Sequence, residues 1–135
     1  MNRSKRRVRV NALTRELGAG PSEGSREAWA VQVRKRPPLL FAQRRRHVVV
    51  RTSDELILVR PRRRRAFERE DVVARIPYDR ATMRRRMLGP LRQLVVTAEP
   101  DGPADESAYA LEFRLRDRHF VNGLAQTIAA STRHG

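Results

Sequence analysis

The sequence predicts a mainly-β α+β domain: a seven-stranded antiparallel barrel or sandwich, capped by a C-terminal helix and preceded by a short N-terminal one. Three observations carry this. Short alternating or β-branched apolar segments recur between turn-rich stretches from residue 28 to residue 115. Two of them, Val48-Val49-Val50 and Leu56-Ile57-Leu58-Val59, are separated only by a polar turn, which reads as a hairpin. After Asp117, the residues Phe120, Val121, Leu124, Ala125 and Ile128 recur at helical spacing.

Taken in order, residues 1–25 form a basic arm whose first seven residues look disordered. Asn11–Leu17 reads as a short amphipathic helix with Leu13 and Leu17 four apart, stopped by Gly18. Residues 26–135 carry the domain. Ala28–Arg34 is a strand that places Trp29, Val31 and Val33 on one face by alternation. Arg46–Thr52 and Leu56–Val59 form the hairpin around Thr52-Ser-Asp-Glu55. Asp71–Ile76 follows, ended by Pro77. Leu91–Thr97 and Tyr109–Leu115 flank the turn-rich stretch Glu99–Ser107. In the last strand Tyr109, Leu111, Phe113 and Leu115 alternate with Ala110, Glu112, Arg114 and Arg116, as in a strand with one wet face. Thr82–Leu88 is two-sided, since Met83 and Met87 have helical spacing while its place in the order suits a strand. Asp117 is placed to cap the closing helix.

Composition bounds the function. With 39% apolar and 5% aromatic residues the core is lean and relies on Val, Leu and Ile. The absence of cysteine rules out disulfides, thiolate metal sites and thiol nucleophiles, and fits a reducing cytoplasm. Val8–Leu17 is broken by three charges, so the basic start lacks the apolar run of about 7–15 residues that a secretion signal needs. No stretch approaches the roughly 18 apolar residues of a membrane span.

The formal net charge is +15, and only 2 of the 30 basic residues are lysine. Most arginine codons begin with CG, so a GC-rich genome would supply the same bias at exposed positions. The charge is nevertheless uneven: residues 1–92 carry 26 basic and 9 acidic side chains, residues 93–135 only 4 and 6. One cationic face or end is expected.

The order of elements and the run His47-Val-Val-Val-Arg-Thr-Ser-Asp-Glu-Leu-Ile-Leu-Val59 resemble the early hairpin of pleckstrin-homology-like (PH/GRAM-like) domains of the small bacterial type. Ile76-Pro-Tyr-Asp79 is similar to the step that opens their later strands. The resemblance spans roughly residues 26–131 and makes Thr82–Leu88 a strand. It implies a non-enzymatic binding module. In lipid-binding members the first loop carries a spaced basic signature, which here maps onto Lys35 and Arg44, Arg45 and Arg46. The candidate site is therefore Arg34, Lys35 and Arg36, the apolar tip Leu39, Leu40 and Phe41, then Arg44–Arg46, together with Arg60, Arg62, Arg63, Arg64 and Arg65 on the next loop. Such a surface suits a protein partner or anionic lipid headgroups at the inner face of the membrane. The acidic residues Glu99, Asp101, Asp105 and Glu106 oppose the lipid reading and favour a protein or an intramolecular latch.

Catalytic and cofactor chemistry find no support. Gly18, Gly20 and Gly24 match neither phosphate-loop pattern. Asp117 and His119 are better read as a cap and its neighbour than as an acid–base pair, and three histidines without a carboxylate at helical spacing make no metal site. Neither a catalytic residue nor a cofactor is expected. The alternative function is sequence-independent nucleic-acid binding by the arginine runs. Against it, the few rings, Trp29 among them, mostly fall at core-facing positions and leave no stacking platform. Self-assembly through an exposed strand edge is a third reading.

Overall fold

The computed structural model describes residues 3–33, 45–62, 66–98 and 107–134. Helix α1 (Arg3–Glu16) is followed by strands β1 (Gly24–Val33), β2 (Arg45–Arg51), β3 (Glu55–Val59), β4 (Val72–Pro77), β5 (Ala81–Leu88), β6 (Leu91–Ala98) and β7 (Ser107–Arg114), and helix α2 (Arg118–His134) closes the chain. All strand pairs are antiparallel, in the order β4-β3-β2-β1-β7-β6-β5. This is the predicted seven-stranded sheet with its C-terminal helix, and residues 82–88 are strand.

Alternation divides the sheet into two packed faces. On the inner face Ala28, Val49, Leu56, Leu58, Leu94, Val96, Leu111 and Phe113 pack with Phe120, Val121, Leu124, Ala125 and Ile128 of α2. The helical stripe read from the sequence thus plugs the curled sheet. Phe113 and Phe120 meet with ring centroids 5.8 Å apart. On the outer face Val48, Val50, Ile57 and Val59 pack with Val10 and Leu13 of α1 and with Phe67. Strands β2 and β3 are therefore covered on both sides, which is why they are continuous apolar runs rather than alternating ones.

The β2–β3 turn is held by one side chain. The Thr52 hydroxyl donates to the Glu55 carbonyl at 2.9 Å and accepts from the Glu55 N–H at 3.1 Å. Tyr78, in the turn after β4, donates its hydroxyl proton to the Thr52 carbonyl at 2.8 Å. Burial pushes the Tyr78 phenol far above its ordinary range, so it stays a donor. At the far end of β2, the Arg51 guanidinium donates to the Thr127 hydroxyl at 2.9 Å across the face of α2. Gly123 permits this: a Cβ there would fall 2.6 Å from Arg51 Nη1.

Three details differ from the sequence reading. Helix α1 begins at Arg3, not Asn11, so Arg3–Arg7 are helical rather than disordered. Arginine and lysine are good helix formers, and Val10 and Leu13 anchor the charged turns, while Arg6 reaches the Ser25 carbonyl. Gly18, at φ 69°, ends the segment as expected. The second difference is the phase of β1: Ala28 and Ala30 face the core and Trp29 lies half-buried on the outer face. The two alanines join the core with Val49 and Leu111, and the indole takes the opposite face, across from Arg46 and Glu112. Third, Ala110 and Glu112 are buried rather than wet, and Leu115 leaves the strand for an exposed turn.

If α1 is part of the packed unit, Leu13→Ala destabilises the protein by about 2–5 kcal/mol, as for other buried leucines. Val8→Ala, at a position 69% exposed on the same helix, leaves the denaturation midpoint unchanged. Equal midpoints for the two variants would detach α1 from the fold.

Candidate functional site

Pairing of Ala30 with Arg45, Val48 with Val59 and Val33 with Ala108 brings the end of β1, the start of β2, the end of β3 and the start of β7 to one end of the sheet. A pocket of about 410 Å³ opens there. Ala30, Leu58, Val73 and Tyr109 line it with apolar surface, and Arg45, Arg46, His47 and Arg60 supply the polar groups. Of the described members of the two sequence clusters, Arg45 and Arg46 from one and Arg60 from the other line it. Arg34, Lys35, Arg36, Leu39, Leu40, Phe41 and Arg44, like Arg63, Arg64 and Arg65, lie outside the described residues, as do Glu99, Asp101, Asp105 and Glu106.

Arg62 does not join this pocket. Its Nε donates to Asp71 at 2.7 Å and its Nη2 lies 3.9 Å from Glu68. Burial by itself would push the Asp71 carboxyl up, but the Glu68 N–H and the Arg62 guanidinium outweigh it and hold the carboxyl below the usual carboxylate range. That pair staples the β3–β4 connection, with the Arg60 N–H donating to the Asp71 carbonyl at 2.8 Å. The staple fixes the backbone from which Arg60 projects.

Among the described lining residues His47 is the group whose ordinary pKa lies nearest neutrality. Its Nδ1 lies 2.9 Å from the Arg45 carbonyl, so that nitrogen carries the proton and donates. Partial burial pulls its pKa below the ordinary imidazole value; the Arg45 carbonyl opposes the shift, and the nearby Arg60 and Arg45 charges add to it. The imidazole is neutral where an exposed one would begin to charge.

A second pocket, of about 200 Å³, lies on the outer face of β1 and β7. Arg6 of α1, Arg26, Arg46, Arg114 and Arg116 line it around Trp29, with Glu27, Glu112 and Asp117 among them. Arg46 belongs to both pockets, its guanidinium 5.2 Å from the centroid of the Trp29 ring. Asp117, expected as a cap, directly precedes α2 and holds Arg26 at 3.2 Å; Arg26 in turn covers the Phe120 ring at 5.2 Å. The sequence reading missed this pocket because it placed Trp29 in the core. The signal was present as Ala28 and Ala30, small residues alternating with the indole.

No family model matches the chain, and no curated protein does either. Solved structures do. One, on the critical structural role of the PH and C1 domains of the Vav1 exchange factor, superposes with TM-score 0.54 at 14% identity, covering 84% of this chain and 26% of that one. A second, of Vav1 inhibited by an allosteric inhibitor that blocks its exchange activity, gives TM-score 0.58 at 11% identity over 96% and 33% of the respective chains. The fold is pleckstrin-homology-like. The PH-like chain spans only about a quarter to a third of the chains it matches, and identities this low establish shape alone. Among the described residues no helix is long and apolar enough to cross a membrane, and no group of three or more His, Asp or Glu is arranged to hold a metal ion.

The histidine supplies a test. The folded protein binds a proton at His47 less readily than the unfolded chain. Its contribution to stability is therefore complete above a pH of about 6.5 and is lost as the pH falls from there toward the folded pKa. By NMR titration, Arg60→Ala moves the His47 midpoint upward, because a repelling charge is gone. An unchanged midpoint would mean that the two residues do not share a pocket.

Proposed function

We propose that this PH-like domain is a non-enzymatic module that docks on an anionic membrane face through the open end of its sheet. The supporting observation is the meeting of Arg45, Arg46 and Arg60 around one apolar-floored pocket with no carboxylate among its described lining residues. Phosphate headgroups meet three guanidinium groups there, and the apolar floor tolerates the adjoining glycerol and acyl carbons. His47 adds a pH-dependent charge: an anion at the rim raises its pKa, so binding strengthens as the pH falls through its titration. On this reading the protein works in the cytoplasm, peripheral at the inner face of the membrane. An acidic protein segment is the competing occupant of the same rim, favoured by the same charges.

Vesicle sedimentation separates the two. Each guanidinium near an anionic leaflet contributes about 1 kcal/mol, so Arg45→Ala/Arg60→Ala binds vesicles containing anionic lipid roughly thirtyfold more weakly than wild type. Neutral vesicles bind neither form. If wild type and the double variant pellet equally with anionic vesicles, or wild type does not pellet at all, the membrane reading fails.

A further inference from the structure

The protein's one tryptophan stands half-buried on the outer face of the sheet among arginines. Pairing aligns Arg46, Trp29, Glu112, Gln93 and Arg86 in a single row across β2, β1, β7, β6 and β5. Residues directly opposite in an antiparallel pair share a face, so this row forms one track about 19 Å long, four interstrand spacings. Arg114 and Arg116 are exposed beside it, Arg84 is exposed along β5, and α1 adds Arg6 at the pocket wall.

The chemistry of this face differs from that of the open end. Five guanidinium groups around the pocket face three carboxylates, Glu27, Glu112 and Asp117. A bare anion is served better at the open end, where no carboxylate is among the described lining residues. A ligand for the outer face carries negative charge for the guanidinium groups and a flat aromatic surface for the indole. Nucleotides in a chain carry both: phosphates and base faces. Single-strand binders combine a cationic track with aromatic stacking in this way.

We propose that the outer face of β1, β7, β6 and β5, with Arg46 at the start of β2, binds single-stranded nucleic acid, with a base stacked at Trp29 and the backbone crossing Arg46, Arg114, Arg116 and Arg86. The contacts read no sequence. The indole half-covered by Arg46 is the stacking point, and the guanidinium beside it moves from ring to phosphate when a base arrives. This site is separate from the membrane-docking rim except for Arg46, and stands whether or not that rim binds lipid.

Trp29 is its own reporter, since no other indole contributes to the fluorescence. Oligothymidylate at about 50 mM salt quenches Trp29 emission, and the affinity falls by orders of magnitude by about 200 mM. Arg114→Ala/Arg116→Ala, two exposed positions, flattens the salt dependence and weakens binding, while Arg45→Ala/Arg60→Ala keeps the quench. In a gel-shift assay Trp29→Ala binds roughly ten- to hundredfold more weakly and Trp29→Phe restores most of the loss, circular dichroism confirming that both fold. Three results would overturn the proposal: no quench by oligothymidylate at low salt, an Arg114→Ala/Arg116→Ala variant indistinguishable from wild type, or an equal quench by inorganic phosphate alone.

Discussion

Everything described depends on the burial of the β2–β3 ribbon from both sides. Val49, Leu56 and Leu58 face the plugged interior, while Val48, Val50, Ile57 and Val59 face α1 and Phe67. A ribbon buried on both faces has little freedom to slip, because a one-residue shift would exchange its two apolar surfaces between different partners. It begins at Arg45 and Arg46 and hands over to Arg60. The rim charges thus inherit their spacing from apolar packing. Helix α1 achieves this with little apolar surface of its own: cations crowd its first turns, against the helix dipole, and Val10 and Leu13 compensate by burial.

The partners of the arginines separate structure from surface. Arg26 is held by Asp117, Arg51 by Thr127 and Glu23, Arg62 by Asp71, Arg69 by Glu16 and Arg75 by Glu55. Several of these tie neighbouring elements, as Arg75 ties β4 to β3 at 2.6 Å. The Arg85 guanidinium likewise reaches the Asn122 side-chain oxygen and joins β5 to α2. Compositional bias accounts for an arginine at such places as well as function does. It accounts less well for two concentrations, one at the open end and one around the indole, that share Arg46. The net charge alone had pointed to anions without saying where they would meet the protein.

Much of the architecture was legible because its signals are local and periodic. The valine run and its partner strand announced the hairpin, and the stripe from Phe120 to Ile128 announced α2. Charge without periodicity misled the reading at the N-terminus, where two apolar residues suffice to dock a helix whose other faces are wet. The phase of β1 was misjudged because the larger residue was assigned to the core, whereas Ala28 and Ala30 take the inward positions. Arg62 looked equivalent to Arg60 in a run of arginines. Its destination depends on Asp71, nine residues away, through a turn that sequence spacing does not reveal.

Native-state hydrogen exchange tests the two-sided ribbon most directly. The account predicts that amides of Val48–Val50 and Ile57–Val59 open only with global unfolding, and that the hydrogen-bonded amides around Leu13 in α1 open in the same cooperative step. If the α1 amides exchange through a separate low-energy opening that leaves β2 and β3 fully protected, the helix does not hold the ribbon, and the rim charges owe their placement to something else.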